Sequence, residues 1–408
     1  MDKPDYHIFT LPNGLRCVHR RTDSHVAYIG VAVNAGSRDD GPSTPGLAHF
    51  VEHTVFKGTR HRSSWHISNR MESIGGELNA YTSKEETVVY TLAPAGHAER
   101  AIELLADLIG YSEFPATELD KERDVVTEEI FSYRDSPSDS VYDCFDELLY
   151  AGSEMGHNIL GTPESVATLR GEHCRAFIDR FYVPANMVLY VSSPDPTPRI
   201  ERLAARHFGV LSHPAPLHDR VLPPMNTAFS EIRRKGGHQA HTIVGRRVFG
   251  RTDPRRFPLF LLNNFLGGPC MNSRLNQELR EKRGLVYTVD SSVALMSDCG
   301  SLLIYFGADE EHVERCLRII RREIEAAAEN PMKPRLFGKI KDQYIGQLLV
   351  SSDNREATSM SLGKSLLYYD EVHDCDWTSA RIADVTAEDV RAVAELVATG
   401  TASRLTLC

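Results

Sequence analysis

The sequence predicts an α+β protein made of two related halves that divide near residue 200. Three observations support this class: a length of 408 residues, a weak internal repeat, and strand-like and helix-like segments that do not alternate strictly. A chain of this length is long for one core, since single hydrophobic cores stop growing at about 250–300 residues. The lack of strict alternation favours a mostly antiparallel or mixed sheet in each half, covered by helices on one face.

The internal repeat has an offset of about 215 residues. Residues 97–100 read HAER and open an amphipathic segment, and residues 312–315 read HVER and open another. A strand-like segment precedes each of them, at residues 88–90 and at residues 303–305. Other pairs of segments keep nearly the same offset. Chance similarity between amphipathic helices would not hold one register, so we predict two homologous halves.

Composition and charge limit the classes of partner. The chain is 41% hydrophobic and 25% charged, which is typical of a soluble globular protein. Its formal net charge of −10 disfavours nucleic acid, whose phosphates require a basic face. No run of about 18 apolar residues indicates a membrane span, so no membrane partner is expected. The N-terminus lacks the features of a secretory signal, and the eight cysteines are scattered; both observations predict a cytoplasmic protein with reduced thiols.

The motif with the clearest chemistry is HFVEH at residues 49–53. On a helix, His49, Glu52 and His53 lie at positions i, i+3 and i+4 and share one face. Two imidazoles one turn apart can bind one zinc ion, while the carboxylate between them reaches the water on the metal. This HxxEH pattern is the inverted form of HExxH. Histidine and glutamate are also common on solvated helices, so the motif alone is moderate evidence.

The helix that carries this motif has recognisable ends in the sequence. Thr44 is a suitable N-cap, with Pro45 at the first helical position. Gly58 is a suitable end point. We therefore predict that the helix begins at Pro45 and ends near Gly58.

A catalytic zinc ion needs a third protein ligand and an open position for water. The acidic segment 117–130 offers Glu122 and Glu129, seven residues apart on one face of a predicted helix. Taken alone, this segment is more typical of a solvated acidic helix. The repeat changes that balance, because the counterpart of Glu129 falls near Gly346 and the counterpart of the histidine motif is apolar at residues 257–262. Only the first half could therefore hold a metal.

Taken together, these segments resemble the pitrilysin-type (inverzincin) zinc metallopeptidases, which include insulin-degrading enzyme, the mitochondrial processing peptidase and smaller bacterial homologues. The resemblance covers nearly the whole chain, and its length is similar to that of the bacterial processing-peptidase-like group. The segments that carry the resemblance are LPNGL (11–15), GLAHFVEHTVFKGT (46–59), GGELNAYTS (75–83), ERDVV (122–126), SRL (273–275) and LREKRGLVY (279–287).

The resemblance implies a role for each matching position of the metal site. His49, His53 and Glu129 would hold one Zn²⁺ per subunit, and Glu52 would be the general base. Glu122 matches an acidic residue that supports the ligands from behind. The resemblance assigns this site to an N-terminal catalytic half at residues 1–200. A C-terminal half without metal would span residues 201–408.

The resemblance also implies residues that contact substrate. Asn79, Ala80 and Thr82 lie in the segment that matches the family's substrate-binding edge strand. Arg280 and Tyr287 match the arginine and tyrosine that the second half contributes to the active-site cleft. For these last two, the residues alone favour a structural interpretation, with Arg280 in a solvated charged run and Tyr287 as a packing residue of a strand.

The implied function is that of a zinc metalloendopeptidase that cleaves short or unfolded peptides. Its two halves would face each other like a clamshell and enclose the peptide, which would bind as an extended strand. A homodimer is expected by analogy, and a heterodimer with a related subunit is the alternative. The competing function is that of a non-catalytic core or peptide-binding subunit of a processing-peptidase-like complex. The intact motif, with Glu52 in it, favours the enzyme.

Overall fold

The computed structural model describes residues 5–211, 218–236 and 238–408. Eleven strands are found in these residues: β1 (Tyr6–Thr10), β2 (Arg16–Arg21), β3 (Val26–Val33), β4 (Glu77–Thr82), β5 (Thr87–Pro94), β6 (Met187–Ser193), β7 (Ser230–Arg233), β8 (Ala240–Val248), β9 (Val286–Leu295), β10 (Gly300–Ala308) and β11 (Ser403–Leu407).

Fourteen α-helices are found in the same residues: α1 (Leu47–Thr54), α2 (Ser64–Glu72), α3 (Ala98–Tyr111), α4 (Ala116–Asp135), α5 (Pro137–Leu149), α6 (Pro163–Thr168), α7 (Gly171–Phe181), α8 (Thr197–His207), α9 (Arg256–Gly267), α10 (Val313–Glu329), α11 (Pro334–Ser352), α12 (Arg355–Tyr369), α13 (Cys375–Asp384) and α14 (Ala387–Ala398). A short π-helical segment spans Asn276–Glu281.

Two sheets organise the chain, and five of the six strands of sheet 1 have the same order as the five strands of sheet 2. Sheet 1 has the strand order β1-β2-β6-β3-β5-β4, and sheet 2 has the order β7-β11-β8-β10-β9. Each sheet contains one parallel pair, β2 with β6 and β7 with β11, and its other pairs are antiparallel. The predicted α+β class with mostly antiparallel sheets is confirmed. The shared strand order supports the predicted repeat.

The described chain forms two compact units, and each is assembled from separate segments. Unit 1 takes the described residues of Met1–Ile130, His157–Val221 and Ser352–Asp374, and unit 2 takes those of Phe131–Gly156, Leu222–Ser351 and Cys375–Cys408. Helix α5 therefore belongs to unit 2, although it comes early in the chain. Helix α12 belongs to unit 1, although it comes late.

Sheet 1 is buried on both faces, whereas the sequence predicted helices on one face. Leu189 and Val191 of β6 face a core shared with α1, α3 and α7. Their neighbours Val188 and Tyr190 face the opposite side and pack with Leu362 of α12. Strand β6 is buried at every position, as expected of a strand covered on both sides.

Sheet 2 is covered in the same way. Helices α9, α10 and α14 pack against one face in one core. On the other face, Phe145 and Leu149 of α5 pack with Ile243 and Leu405 of the sheet. Each sheet thus receives one covering helix from the distant part of the chain. The amphipathic pattern of a helix shows that it needs an apolar partner, but it does not show which sheet provides one.

The length and apolar content of the helices bear on whether one of them could span a bilayer. A membrane-spanning helix needs about 20 consecutive, mostly apolar residues. Among the described residues, no helix is both long enough and apolar enough to cross a membrane.

Tyr190 shows how closely α12 approaches sheet 1. A Cβ atom added to Gly30, its partner on β3, would lie 2.3 Å from the Tyr190 hydroxyl oxygen. A Cβ atom added to Gly363 on α12 would lie 2.4 Å from Cδ1 of the same ring. Both distances are far below van der Waals contact. The tyrosine ring therefore fits only because both neighbours are glycines.

We expect Gly363→Ala to lower the free energy of unfolding by about 1–3 kcal/mol, since overpacking a core forces side chains or backbone to shift. Urea unfolding followed by circular dichroism measures this change. Gly338→Ala on α11 is the matched control, because an added Cβ there has no neighbour within 4 Å. The control should keep or slightly raise stability through its higher helix propensity. Equal stability of the two variants would contradict the packing argument.

Candidate metal centre

Helix α1 carries the histidine motif, and Gly46 and Asp40 set its start. Gly46 is the N-cap residue with φ of 92°, a left-handed conformation that favours glycine. The Asp40 carboxylate accepts hydrogen bonds from the backbone N–H groups of Gly46 and Ala48, both at 2.7 Å. These bonds satisfy amides that a helix start leaves without intrahelical partners. Burial raises the pKa of Asp40, and the two N–H donors oppose that shift.

The predicted ends of this helix were wrong. The helix begins at Leu47, after the left-handed glycine, and not at Pro45. Thr44 does not act as the cap, because its hydroxyl donates to the carbonyl of Asp40. The helix ends at Thr54, before Gly58. The cap comes instead from a carboxylate several residues upstream, which a search for an adjacent capping residue does not find.

The motif side chains do share one face of α1. The ring centroids of His49 and His53 are 4.6 Å apart. His49 is buried, while His53 and Glu52 are partly exposed. The imidazoles are therefore close enough to act on one ion, and an opening remains on their accessible side.

Helix α4 brings two carboxylates to these imidazoles. Glu129 Oε2 lies 3.7 Å from His49 Nε2 and 3.3 Å from His53 Nε2. Glu122, two turns earlier on the same face, lies behind the pair, with its Oε2 3.2 Å from His53 Nδ1. The structure therefore places both carboxylates on the side of α4 that faces the motif.

A lysine that the sequence analysis did not select completes the support of His53. Lys57 Nζ lies 2.5 Å from Glu122 Oε1. With one oxygen held by the lysine, the Glu122 carboxylate uses the other to accept the N–H of His53 Nδ1. His53 Nε2 then keeps its lone pair on the side of Glu129, which is the arrangement of oriented metal ligands. His49 has no such support, since its Nδ1 is buried without a hydrogen-bond partner among the described residues.

Burial and charge set the protonation of the two histidines. Burial, together with His53, lowers the pKa of His49 to about 3, so this imidazole is neutral near pH 7. Burial also acts to lower the pKa of His53, but the hydrogen bond to Glu122 and the charges of Glu52 and Glu129 outweigh it and raise that pKa. The carboxylates around His53 thus attract a positive charge. A divalent cation would compete with the proton for this position.

The pKa values of Glu52 and Glu122 are shifted in opposite directions. Burial raises the pKa of Glu52, although the hydroxyl of Thr82 and the charge of His53 oppose the shift. Burial also acts to raise the pKa of Glu122, but hydrogen bonds from His53 and Lys57 lower it below its usual value. Glu122 is therefore held as an anion. Glu52 binds a proton more readily, as a general base requires.

The donor atoms were tested for their fit to a metal. One ligand atom each from His49, His53 and Glu129 lie within 4.8 Å of one another. Within residues 5–211, 218–236 and 238–408, no other group of three or more histidine, cysteine or acidic residues meets that geometry. Two imidazole nitrogens and one carboxylate oxygen form a donor set that suits catalytic Zn²⁺. The residues present fit the metal, and their role as ligands stays a prediction.

The predicted substrate-binding residues lie on an edge strand beside α1. Among the described residues, β4 pairs only with β5, with Asn79 opposite Tyr90 and Ala80 opposite Val89. Thr82, at the end of β4, is near enough to Glu52 for its hydroxyl to lower the pKa of that carboxyl. The free edge of the strand therefore ends next to the proposed general base.

Arg280 and Tyr287 belong to unit 2. Arg280 lies in the π-helical segment, half exposed, with its Nε 3.9 Å from Glu281 Oε1. Tyr287 lies on β9 and is 60% exposed. Exposure argues against the packing role that a tyrosine in a strand usually has. Their contribution to a cleft stays a prediction.

Two supporting residues were missed from the sequence, and they differ in how visible they were. Lys57 lies only four residues after His53, so its nearness to the motif could have suggested it, although it lies beyond the end of α1. Asp40 acts across a turn that is not part of any regular element, and its spacing from Leu47 matches no capping pattern. Its role appears only in three dimensions.

Comparison with known proteins places the chain in a family. The model described as Insulinase (Peptidase family M16) matches residues 16–163, and the model described as Peptidase M16 inactive domain matches residues 168–344. An uncharacterised zinc protease of Streptomyces coelicolor is 36% identical over 393 residues, which cover 94% of this chain and 85% of that protein. An uncharacterised zinc protease of Bacillus subtilis is 33% identical over 361 residues, which cover 88% and 87%.

Solved structures share the fold. A protease from Helicobacter pylori superposes with a TM-score of 0.91 at 21% identity, over 100% of both chains. A peptidase M16 inactive domain from Pseudomonas fluorescens has the same TM-score at 19% identity, over 99% of this chain and 98% of that one. At these identities, the likeness shows the fold alone.

We expect Glu129→Gln to weaken Zn²⁺ binding by more than about 100-fold, which exceeds the 10–100-fold loss typical of outer-shell partners. Isothermal titration of the metal-free protein measures this affinity. Glu128→Gln is the matched control, because Glu128 is the neighbouring glutamate and is exposed. If both variants bind Zn²⁺ with wild-type affinity, Glu129 is not a ligand.

Proposed function

Because the chain belongs to peptidase family M16, we propose that it is a zinc-dependent endopeptidase that cleaves peptides bound in an extended conformation. The observation that carries the proposal is the meeting of His49, His53 and Glu129 from two helices, with Glu52 beside them. A structural subunit has no need for a base next to such a donor set.

The donor atoms assigned to the metal are Nε2 of His49, Nε2 of His53 and Oε2 of Glu129, with one Zn²⁺ per subunit. When bound there, Zn²⁺ supplies Lewis acidity, which lowers the pKa of water at the open position and polarises the scissile carbonyl. The protein supplies the fixed positions of the donors. His49 is held by burial in α1, and His53 is held by its hydrogen bond to Glu122.

Glu52 moves the proton in this mechanism. Its carboxylate takes a proton from the attacking water as the water oxygen bonds to the carbonyl carbon. It then delivers that proton to the nitrogen of the scissile bond, so the C–N bond breaks and a neutral amine leaves. The raised pKa of Glu52 supports the first step, because it makes the carboxylate a better proton acceptor.

Contacts of Glu122 with Lys57 and with His53 fix the protonation of Glu122 and His53. Lys57 holds the Glu122 carboxylate as an anion, and Glu122 fixes the proton of His53 on Nδ1. A carboxylate behind a ligating imidazole also raises the basicity of the ligand. We therefore assign Glu122 and Lys57 a positioning role.

Substrate would bind along the free edge of β4. The backbone N–H and C=O groups of Asn79, Ala80 and Thr82 would pair with an extended peptide, which reads backbone more than sequence. Tyr287 would donate a hydrogen bond to the developing oxyanion or to substrate backbone, and Arg280 would hold substrate. Tyr287 is 60% exposed, so its side chain is accessible for that contact.

Two finer parts of the proposal rest on the family resemblance. A homodimer is expected, and a heterodimer with a related subunit is the alternative; analytical ultracentrifugation of the purified chain distinguishes monomer from dimer.

The competing function is that of a non-catalytic subunit. One matching family model and one similar solved structure carry the words inactive domain in their descriptions, so a test of activity is decisive.

We expect Glu52→Gln to lower kcat by about 10²–10⁴-fold, the usual contribution of general acid–base catalysis. Cleavage of a mixed peptide library, mapped by mass spectrometry with and without chelator, measures this loss. The Zn²⁺ content of the variant should equal that of the wild type, because Glu52 lies outside the group of three donors.

Glu72→Gln on the surface of α2 is the control, since Glu72 is exposed. It should cleave the library at the wild-type rate. If the wild type cleaves nothing while holding zinc, the non-catalytic function is favoured. If Glu52→Gln cleaves as fast as the wild type, the assigned base is wrong.

A further inference from the structure

The turn that joins β4 to β5 contains three consecutive charged residues, and all three are buried. Lys84 is 8% exposed, Glu85 1% and Glu86 2%. Charged side chains are almost never fully buried unless they are paired. The turn adjoins Thr82, the residue of the edge strand whose hydroxyl lowers the pKa of Glu52. The contacts of these three charged residues therefore affect the position of the edge strand β4.

One side of the turn is fixed by the loop that precedes α1. The backbone N–H of Ser37 donates to the carbonyl of Ser83 at 3.0 Å, and that of Arg38 donates to the carbonyl of Lys84 at 2.8 Å. The Arg38 guanidinium lies 2.6 Å from the Glu85 carboxylate. These contacts join the turn to the loop that leads into α1, the helix with the candidate metal ligands.

The other side of the turn is fixed from a distant part of the sequence. Lys364 on α12 places its Nζ 2.5 Å from Glu86 Oε1. The hydroxyl of Tyr81 donates to the same carboxylate oxygen at 3.0 Å. The Lys364 ammonium also lies 5.6 Å from the centroid of the Tyr81 ring. Burial and the Glu86 charge raise the pKa of the Tyr81 hydroxyl, which keeps its proton for this bond.

Tyr81 connects this contact to the edge strand. It lies between Ala80 and Thr82 on β4, and successive side chains of a strand point to opposite faces. Tyr81 packs in the cluster under α12, whereas Ala80 packs in the core that includes α1. The anchored side chain of Tyr81 therefore fixes the backbone of β4, including that of its neighbours Ala80 and Thr82.

An edge strand needs such an anchor more than an inner strand does. Among the described residues, β4 is hydrogen-bonded on one side only, and strands with few partners open locally at low free-energy cost. A peptide that adds to a frayed edge must first order it, and that ordering weakens binding.

We infer that Lys364 is a positioning residue for substrate: through Glu86 and Tyr81 it holds the β4 edge in the conformation that accepts an extended peptide. The inference rests on the proposed function. It places one determinant of substrate affinity on the opposite face of sheet 1 from the metal ligands, on a helix contributed by the late part of the chain.

The test measures the strand and the ligand separately, in a Glu52→Gln background so that nothing is cleaved. Lys364→Met is expected to increase amide hydrogen exchange in β4 but not in β1, the opposite edge of sheet 1. It should also weaken binding of fluorescein-labelled β-casein, an unfolded polypeptide, by about tenfold, or ~1.4 kcal/mol. The Zn²⁺ content of Lys364→Met should stay unchanged. Lys364→Arg, which keeps the positive charge, should retain most of the affinity for casein.

Lys339→Met on α11 is the control, because Lys339 is exposed. If Lys364→Met fails to fold because Glu86 is left unpaired, the double variant Lys364→Met/Glu86→Gln removes both charges and is measured in its place. Unchanged exchange in β4, or unchanged casein affinity despite faster exchange, overturns the inference. If the parent does not bind casein at all, the proposed function fails, and β4 exchange alone then decides whether Lys364 positions the strand.

Discussion

The contact between α1 and α4 at His53 is the interaction on which the candidate site depends. One imidazole meets Glu122 at Nδ1 and Glu129 at Nε2, so a single side chain ties the two helices together. The three carboxylates around it, including Glu52, concentrate negative charge at a partly exposed side chain. Charge of this density is costly without a cation, and the same charge would favour the binding of a divalent metal.

The site stands on a sheet whose two faces have different tasks. Helices α1, α3 and α7 cover one face, and α1 carries the candidate ligands His49 and His53. Helix α12 covers the other face and reaches the edge strand through Lys364. Since β6 is buried on both sides, neither cover can be removed without exposing a large apolar surface. The late segment of the chain is thus a structural part of the unit that holds the candidate metal centre.

Much of the fold could be read from residue patterns because those patterns are local or repeat. The segment order predicts the mostly antiparallel sheets, and the helical spacing of His49, Glu52 and His53 predicts that they share one face. The ends of α1 could not be read in this way. Its start depends on Asp40 and on the left-handed Gly46, and their contact is made only when the preceding loop folds back over the helix.

By itself, the sequence determined which residue types could bind a metal and which half of the chain carried them, because ligand chemistry and helical periodicity are properties of short segments. Only the tertiary structure decided that Glu129 meets both imidazoles, that Lys57 steadies Glu122, and that α5 and α12 each cover the sheet of the other sequence half. These outcomes depend on which apolar surfaces bury each other. That choice is made by the packing of the whole chain, since an amphipathic helix is compatible with more than one sheet face.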